Sequence, residues 1–273
     1  MPIFHAIVLG IVQGLSEYLP ISSSGHLILV PWIFHWNDFA GDAHLEKAFD
    51  VALHLGTLIG ALVYFRKDIV KYAKAGLSPS QRGTTDFRLA WMLLLSAVPA
   101  ALTGALFKDT IEAHTSAIPQ IAVMLIVFGL ILGWADTRPG TRTLEQTSTR
   151  DAAAMGIGQA LALQPGVSRS GVTMSVGRFV GLGREGAARF AFLMSLPITA
   201  GAIVFTAADV QSSGGLPDGF AAPFFWGVVA SGITGWFAIW GMLRLIKTSS
   251  FKPFVIYRVA MGVFVLALYA YRS

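Results

Sequence analysis

Residues 18–27, YLPISSSGHL, set three consecutive hydroxyls and an imidazole between two apolar runs, and Glu17 just before them is the only acid in the first 37 residues. Pro20 breaks a helix, because proline lacks the N–H and clashes with the preceding turn, and the serines behind it suit the N-cap of a return helix. Free backbone N–H groups at such a helix start, flanked by Ser22, Ser23 and Ser24, make an anion site. Glu17 then stands as a general base or a ligand for a divalent cation, with Gln13 one helical turn away on the same face. Either Ser23 or His26 could attack a bound electrophile, and spacing alone leaves both open.

A second segment supplies the counter-charge. Laid without a gap over residues 10–25, GIVQGLSEYLPISSSG, residues 156–171, GIGQALALQPGVSRSG, agree at seven positions, where chance at roughly 7% per position gives about one. Shared residues read as scaffold, and the differences read as chemistry. Glu17 faces Leu163, Ser23 faces Arg169 and His26 faces Val172. Arg169 offers a planar fork of donors suited to phosphate, Ser168 and Ser170 repeat the hydroxyl cradle, and Thr173 adds a hydroxyl one turn later. If the two tips meet, they form a pocket for a pyrophosphoryl group opposite a carboxylate and an imidazole. Hydrolysis of a phosphoanhydride needs that set: charge stabilisation, a nucleophile, and a proton acceptor or metal.

The elements that must position these groups follow from hydropathy. The 273 residues are 54% hydrophobic and 13% charged, more apolar surface than one globular core hides. Apolar stretches at about 49–65, 89–107, 118–135, 190–208, 221–243 and 254–271 approach the roughly 20 residues of a bilayer crossing. Two more, 4–34 and 152–181, are cut by Pro, Gly and Ser into pieces too short to span, and read as re-entrant hairpins. The expected fold is all-α: one polytopic membrane domain over 1–273, with halves at about 1–135 and 152–273 related as an inverted-topology repeat.

Orientation follows from the basic residues. Arg66, Lys67, Lys71, Lys74, Arg82 and Arg88 fall in one segment read as a loop, and Arg244, Lys247, Lys252 and Arg258 in another, so both are expected in the cytoplasm. Asp38, Asp42, Glu46 and Asp50, and also Asp209 with Asp218, mark segments expected outside. Glu17, Arg169 and Arg178 are the charges this topology leaves within the membrane, where a charge costs about 2.5–3.5 kcal/mol unless it is paired or wet. The absence of cysteine excludes disulfides and thiolate metal sites. The first ten residues lack a basic n-region and are expected in the mature fold. The net charge of +5 is explained by the cytoplasmic loops and does not call for nucleic acid. His5, His35, His44 and His114 read as hydrogen-bonded groups near the interfaces, His54 is left open inside a span, and Asp50 is placed near the site mouth.

QGLSEYLPISSSGH (13–26) and QPGVSRSGVT (164–173) resemble the two signature motifs of the undecaprenyl pyrophosphate phosphatase family, the bacitracin-resistance integral membrane phosphatases. FDVALHLGTL (49–58) and PFVIYR (253–258) resemble it too, so the likeness covers most of the chain. The resemblance implies hydrolysis of undecaprenyl diphosphate to the monophosphate, recycling the carrier for cell-wall synthesis. It also implies a divalent cation, Mg²⁺ or Ca²⁺, and a site open to the outer face of the bacterial inner membrane. The family's acidic pair falls on Gln13 and Glu17, its Ser and His on Ser23 and His26, and its Arg on Arg169. With glutamine at the first acidic position, Glu17 is left as the metal ligand or base. Catalysis is thus expected from Glu17, Ser23, His26 and Arg169, and substrate binding from Gln13, Ser22, Ser24, Ser168, Ser170 and Thr173. The expected partners are the polyprenyl diphosphate and the membrane, with a homodimer left open.

Two rivals remain from the residues themselves. A transporter or flippase also uses broken helices at mid-depth. An intramembrane serine hydrolase would use Ser23 with His26 but gives no reason for Arg169.

Overall fold

The computed structural model describes residues 1–114, 117–212 and 216–273, with side chains left out at 108–114 and 211–212. The described residues are helical, without a named strand, and six helical stretches are long and apolar enough to cross a bilayer. These are Ala43–Tyr64, Thr85–Phe107, Ile118–Asp136, Arg184–Val210, Ala221–Leu245 and Lys252–Arg272, matching the six expected from hydropathy. The chain is a multi-pass membrane protein. Its outward faces are greasy: only 17% of the most apolar window of the last span is buried within the protein.

The helices in chain order are α1 (Ile3–Tyr18), α2 (Ser23–Phe34), α3 (Ala43–Tyr64), α4 (Arg66–Leu77), α5 (Thr85–Leu95) and α6 (Val98–His114). They continue as α7 (Ile118–Asp136), α8 (Thr149–Ala160), α9 (Arg169–Phe179), α10 (Arg184–Ser212), α11 (Ala221–Leu245) and α12 (Lys252–Arg272). The segment after Arg66, read as a loop, forms α4 as far as Leu77. Its buried Tyr72 and Ala75 keep a packing face, while its lysines and arginine disguise it in a hydropathy profile.

Two helical hairpins, α1–α2 and α8–α9, occupy the two segments that Pro, Gly and Ser cut. At 16 and 12 residues, α1 and α2 rise only about 24 and 18 Å. Their turns are built alike. Ser22 has φ 79° and Ser168 has φ 73°, the left-handed region a non-glycine residue seldom enters. Each caps the next helix, with the amide of Gly25 donating to Ser22 Oγ at 3.4 Å and that of Gly171 to Ser168 Oγ at 3.1 Å. At the foot of α8, burial raises the Asp151 carboxyl. Hydrogen bonds from Arg142 (2.5 Å) and the Ser148 amide (2.8 Å) outweigh that and hold it below the ordinary aspartate value.

Small residues set how closely the first hairpin is held. On α11 Gly227, Ser231 and Gly235 recur every four residues and meet Gly10 and Gly14 of α1 and Gly56 of α3, while Gly232 beside them meets Gly60 of α3. A Cβ at Gly10 would lie 2.5 Å from the Gly227 carbonyl oxygen, and one at Gly60 would lie 2.5 Å from that of Gly232. In a bilayer, where apolar burial gives little drive for helices to associate, such backbone approach is what dispersion can use.

Arg258, read as a cytoplasmic loop charge, lies instead within α12 and is fully buried. Its guanidinium donates to the carbonyls of Pro20 (3.1 Å), Gly166 (2.7 Å), Val167 (3.0 Å) and Leu125 (3.1 Å). Broken helices leave carbonyls without an intrahelical donor, and a five-donor fork satisfies several at once. One residue thereby ties both hairpin tips to α7 and α12. Arg178 also serves backbone, donating to the carbonyls of Leu182 (2.6 Å), Gly140 (3.3 Å) and Arg138. Of the interfacial histidines, His5 bonds Asp38 at 2.9 Å and His44 bonds Asp209 at 3.3 Å, while His35 closes α2 in a left-handed conformation. The side chain of His114 lies outside the described residues.

Candidate active site

The hairpin tips touch. The Gly166 amide donates to Ser22 Oγ at 3.1 Å, and Ser170 Oγ donates to the Leu19 carbonyl at 3.1 Å. Beside this seam Glu17, at the end of α1, receives Ser23 Oγ at 2.6 Å and Gln13 Nε2 at 3.1 Å on one carboxylate oxygen. Its other oxygen is bonded by Arg169, the first residue of α9. The second arm of the Arg169 fork donates to Thr199 Oγ1 at 2.7 Å, two residues past Pro197, which lies inside α10. The acid and the base marked by their rarity in apolar sequence are therefore partners across the two hairpins. Such a pair keeps each charge tolerable at low dielectric and leaves both beside an opening.

That opening is a cavity of about 230 Å³. Its wall carries Glu17, Ser23, Ser24, Ser168 and Arg169 with His54, Gln159 and Thr199, together with apolar side chains that include Leu163, Ile198 and Ile203. A lining of charged and hydroxyl groups together with hydrocarbon fits an amphiphile whose head is anionic.

The remaining expected site residues sit behind this wall. Gln13, Ser22, His26, Ser170 and Thr173 are buried and take no part in the lining. Ser22 caps α2 and holds the opposite tip, and Thr173 Oγ1 donates to the Arg169 carbonyl at 2.7 Å. His26 spends both ring nitrogens, one on the Ser22 carbonyl at 2.7 Å and the other on Tyr257 Oη at 2.7 Å, with its ring stacked on that tyrosine. Asp50 lines a different cavity with Asp38 and Glu46, and is linked to this one through its carbonyl, which accepts from His54 Nδ1 at 2.8 Å.

His54 is the imidazole at the site. With Nδ1–H committed to the Asp50 carbonyl, Nε2 is directed at Glu17, 3.6 Å away. A lone histidine inside a span carried no sequence signal for this; its place one turn after Asp50 on the face of α3 toward α1 decides it. Thr199, lying outside both motifs, was likewise silent.

With this geometry stands a family match. Residues 6–264 match the family described as bacitracin resistance protein BacA. The chain belongs to the BacA family. Relatives named undecaprenyl-diphosphatase span it end to end. The protein of Pelotomaculum thermopropionicum is 44% identical over 274 residues, covering 100% of this chain and 99% of its own. That of a Nocardioides species is 43% identical, covering 97% and 96%, and that of Pelobacter propionicus is 44% identical, covering 96% and 95%. BacA-family membership thus extends over both hairpins and all six spans rather than over a motif alone.

Proposed function

We propose that the protein is an undecaprenyl-diphosphatase, releasing inorganic phosphate from undecaprenyl diphosphate and returning the monophosphate carrier. The observation that carries this reading is the run Arg169–Glu17–Ser23 at one cavity, a phosphate-binding fork, a proton acceptor and a hydroxyl in direct succession. The names of the relatives supply the lipid. In our reading Ser23 Oγ attacks the terminal phosphorus and its proton passes to Glu17 across the 2.6 Å hydrogen bond. The bridging P–O bond breaks, and the monophosphate lipid leaves. Water then cleaves the phosphoserine, giving inorganic phosphate and restoring the hydroxyl. Arg169, turning from Glu17 to the phosphoryl oxygens, stabilises the charge they gather. His26 supports α2 against α12 and is not the nucleophile in this scheme.

A divalent cation, Mg²⁺ first and Ca²⁺ second, fits the donors present. Mg²⁺ is commonly held by one or two carboxylates together with substrate phosphates, and here Glu17 supplies the carboxylate while Gln13 Oε1, buried beside it, has no hydrogen-bond partner. Such an ion would neutralise charge on the diphosphate. In the same reading the two hairpins are re-entrant halves of an inverted repeat within a single membrane domain, and the cavity opens toward the outer face of the bacterial inner membrane. A homodimer is carried forward as an expectation that light scattering of the detergent-solubilised protein checks.

Purified protein given a prenyl diphosphate and Mg²⁺ should release phosphate. A protein that binds this lipid but releases none is a carrier, and the reading fails. With substrate labelled at the terminal phosphate, trapping should label the unmodified protein, should label Glu17→Gln far more slowly because the proton acceptor is gone, and should leave Ser23→Ala without label. His26→Gln should keep it; label lost there and kept in Ser23→Ala would reverse the assignment.

A further inference from the structure

Gln13 and Gln159 occupy matching places in the two hairpins, but their surroundings differ. The carboxamide of Gln13 is engaged by Glu17 four residues on, through Nε2 at 3.1 Å. The residue four on from Gln159 is Leu163, which offers no carboxylate. Gln159 is 2% exposed, yet neither its Nε2 nor its Oε1 has a hydrogen-bond partner. The same side chain lines the cavity that holds Ser23, Ser168 and Arg169. A buried carboxamide with both ends unsatisfied is costly, and native proteins seldom keep one without a ligand to meet it.

We infer that Gln159 is a substrate-contacting residue, its Nε2 donating to a phosphoryl oxygen of the bound diphosphate and its Oε1 accepting from a water held beside that phosphoryl group. Phosphate oxygens alone would satisfy only the amide, because an ionised phosphate has acceptors and no donor to give. The ligand must bring both polarities, and a phosphoryl group with a water beside it, the one that later cleaves the phosphoserine, does. A glutamine that orients water toward phosphorus is a recurring part of phosphoryl-transfer sites. This inference rests on the hydrolase reading above and adds a residue to it.

The test is Gln159→Leu, close in size and without polar atoms, assayed with farnesyl diphosphate and Mg²⁺ in detergent. We expect kcat/KM to fall about 10- to 100-fold, the range for a lost hydrogen bond to a charged group, while Tm stays or rises because an unsatisfied polar group has been removed. Gln159→Asn, keeping the amide on a shorter stem, should recover part of the loss. Leucine activity within twofold of the parent overturns the inference. So does a Tm that falls along with activity, since it would mean the carboxamide has a partner inside the protein. Failure of the hydrolase reading shows separately, as absence of phosphate release from the unmodified protein.

Discussion

The two hairpins share a turn and diverge at its next residue. Ser22 and Ser168 adopt the same left-handed backbone and cap the same kind of helix, yet the following position is Ser23 in one and Arg169 in the other. The first tip thus contributes an acid and a hydroxyl, the second a guanidinium and an unengaged carboxamide. A single elbow, made twice, can hold opposite parts of one reaction because the cap and the glycine after it fix where the neighbouring side chain points. Some polar residues divide accordingly: Ser22 and Ser170, common to both copies, hold backbone, whereas Glu17, Ser23 and Arg169, each found in one copy, face the cavity.

The comparison breaks most visibly at Arg169. Arg169→Ala should lower kcat by about three orders of magnitude or more while the protein remains extractable and folded, because the group acts on the transition state. A near-normal rate would make the second hairpin structural only. Next in size is Arg258→Met, which leaves the carbonyls of Pro20, Gly166 and Val167 without their donor. At about 1 kcal/mol or more for each stranded group it should cost roughly 3 kcal/mol, read as a lowered Tm in detergent. An unchanged Tm would show that the tips hold together without it.

Smaller effects sharpen the likeness of the turns. Ser168→Ala should cost about 1 kcal/mol as a lost cap, and Ser22→Ala more, because Ser22 Oγ also receives the opposite hairpin's Gly166 amide. Equal losses would place that cross-contact outside the energetics. Smallest is the contribution of Asp151. Its folded carboxyl lies below the ordinary aspartate value, so its stabilisation is complete above that value and is lost as pH falls through the lowered one. Asp151→Asn should therefore flatten the acid limb of the stability profile while leaving neutral-pH turnover within twofold.

Much of this was legible in the sequence because charges are scarce in apolar segments. Glu17 and Arg169 stood out for that reason, and the gapless repeat around Pro20 and Pro165 located the breaks. The six spans were legible because hydropathy over 20 residues averages out local detail. Arg258 was hidden by its neighbours, since a basic residue shortly after Arg244, Lys247 and Lys252 reads as more of the same loop until the helix turns it inward. His54 and Thr199 were hidden because contact between spans distant in sequence leaves no local pattern. Gln159 was visible but classed with the scaffold, for identity between two copies does not tell whether each side chain finds a partner.

Arg258 also sets an order of events. It follows Gly166 by 92 residues, so both elbows are synthesised well before the guanidinium that fastens their carbonyls, and until then only the contacts of tip with tip join them. The centre for phosphate chemistry is therefore locked late, once α12 has settled against α7.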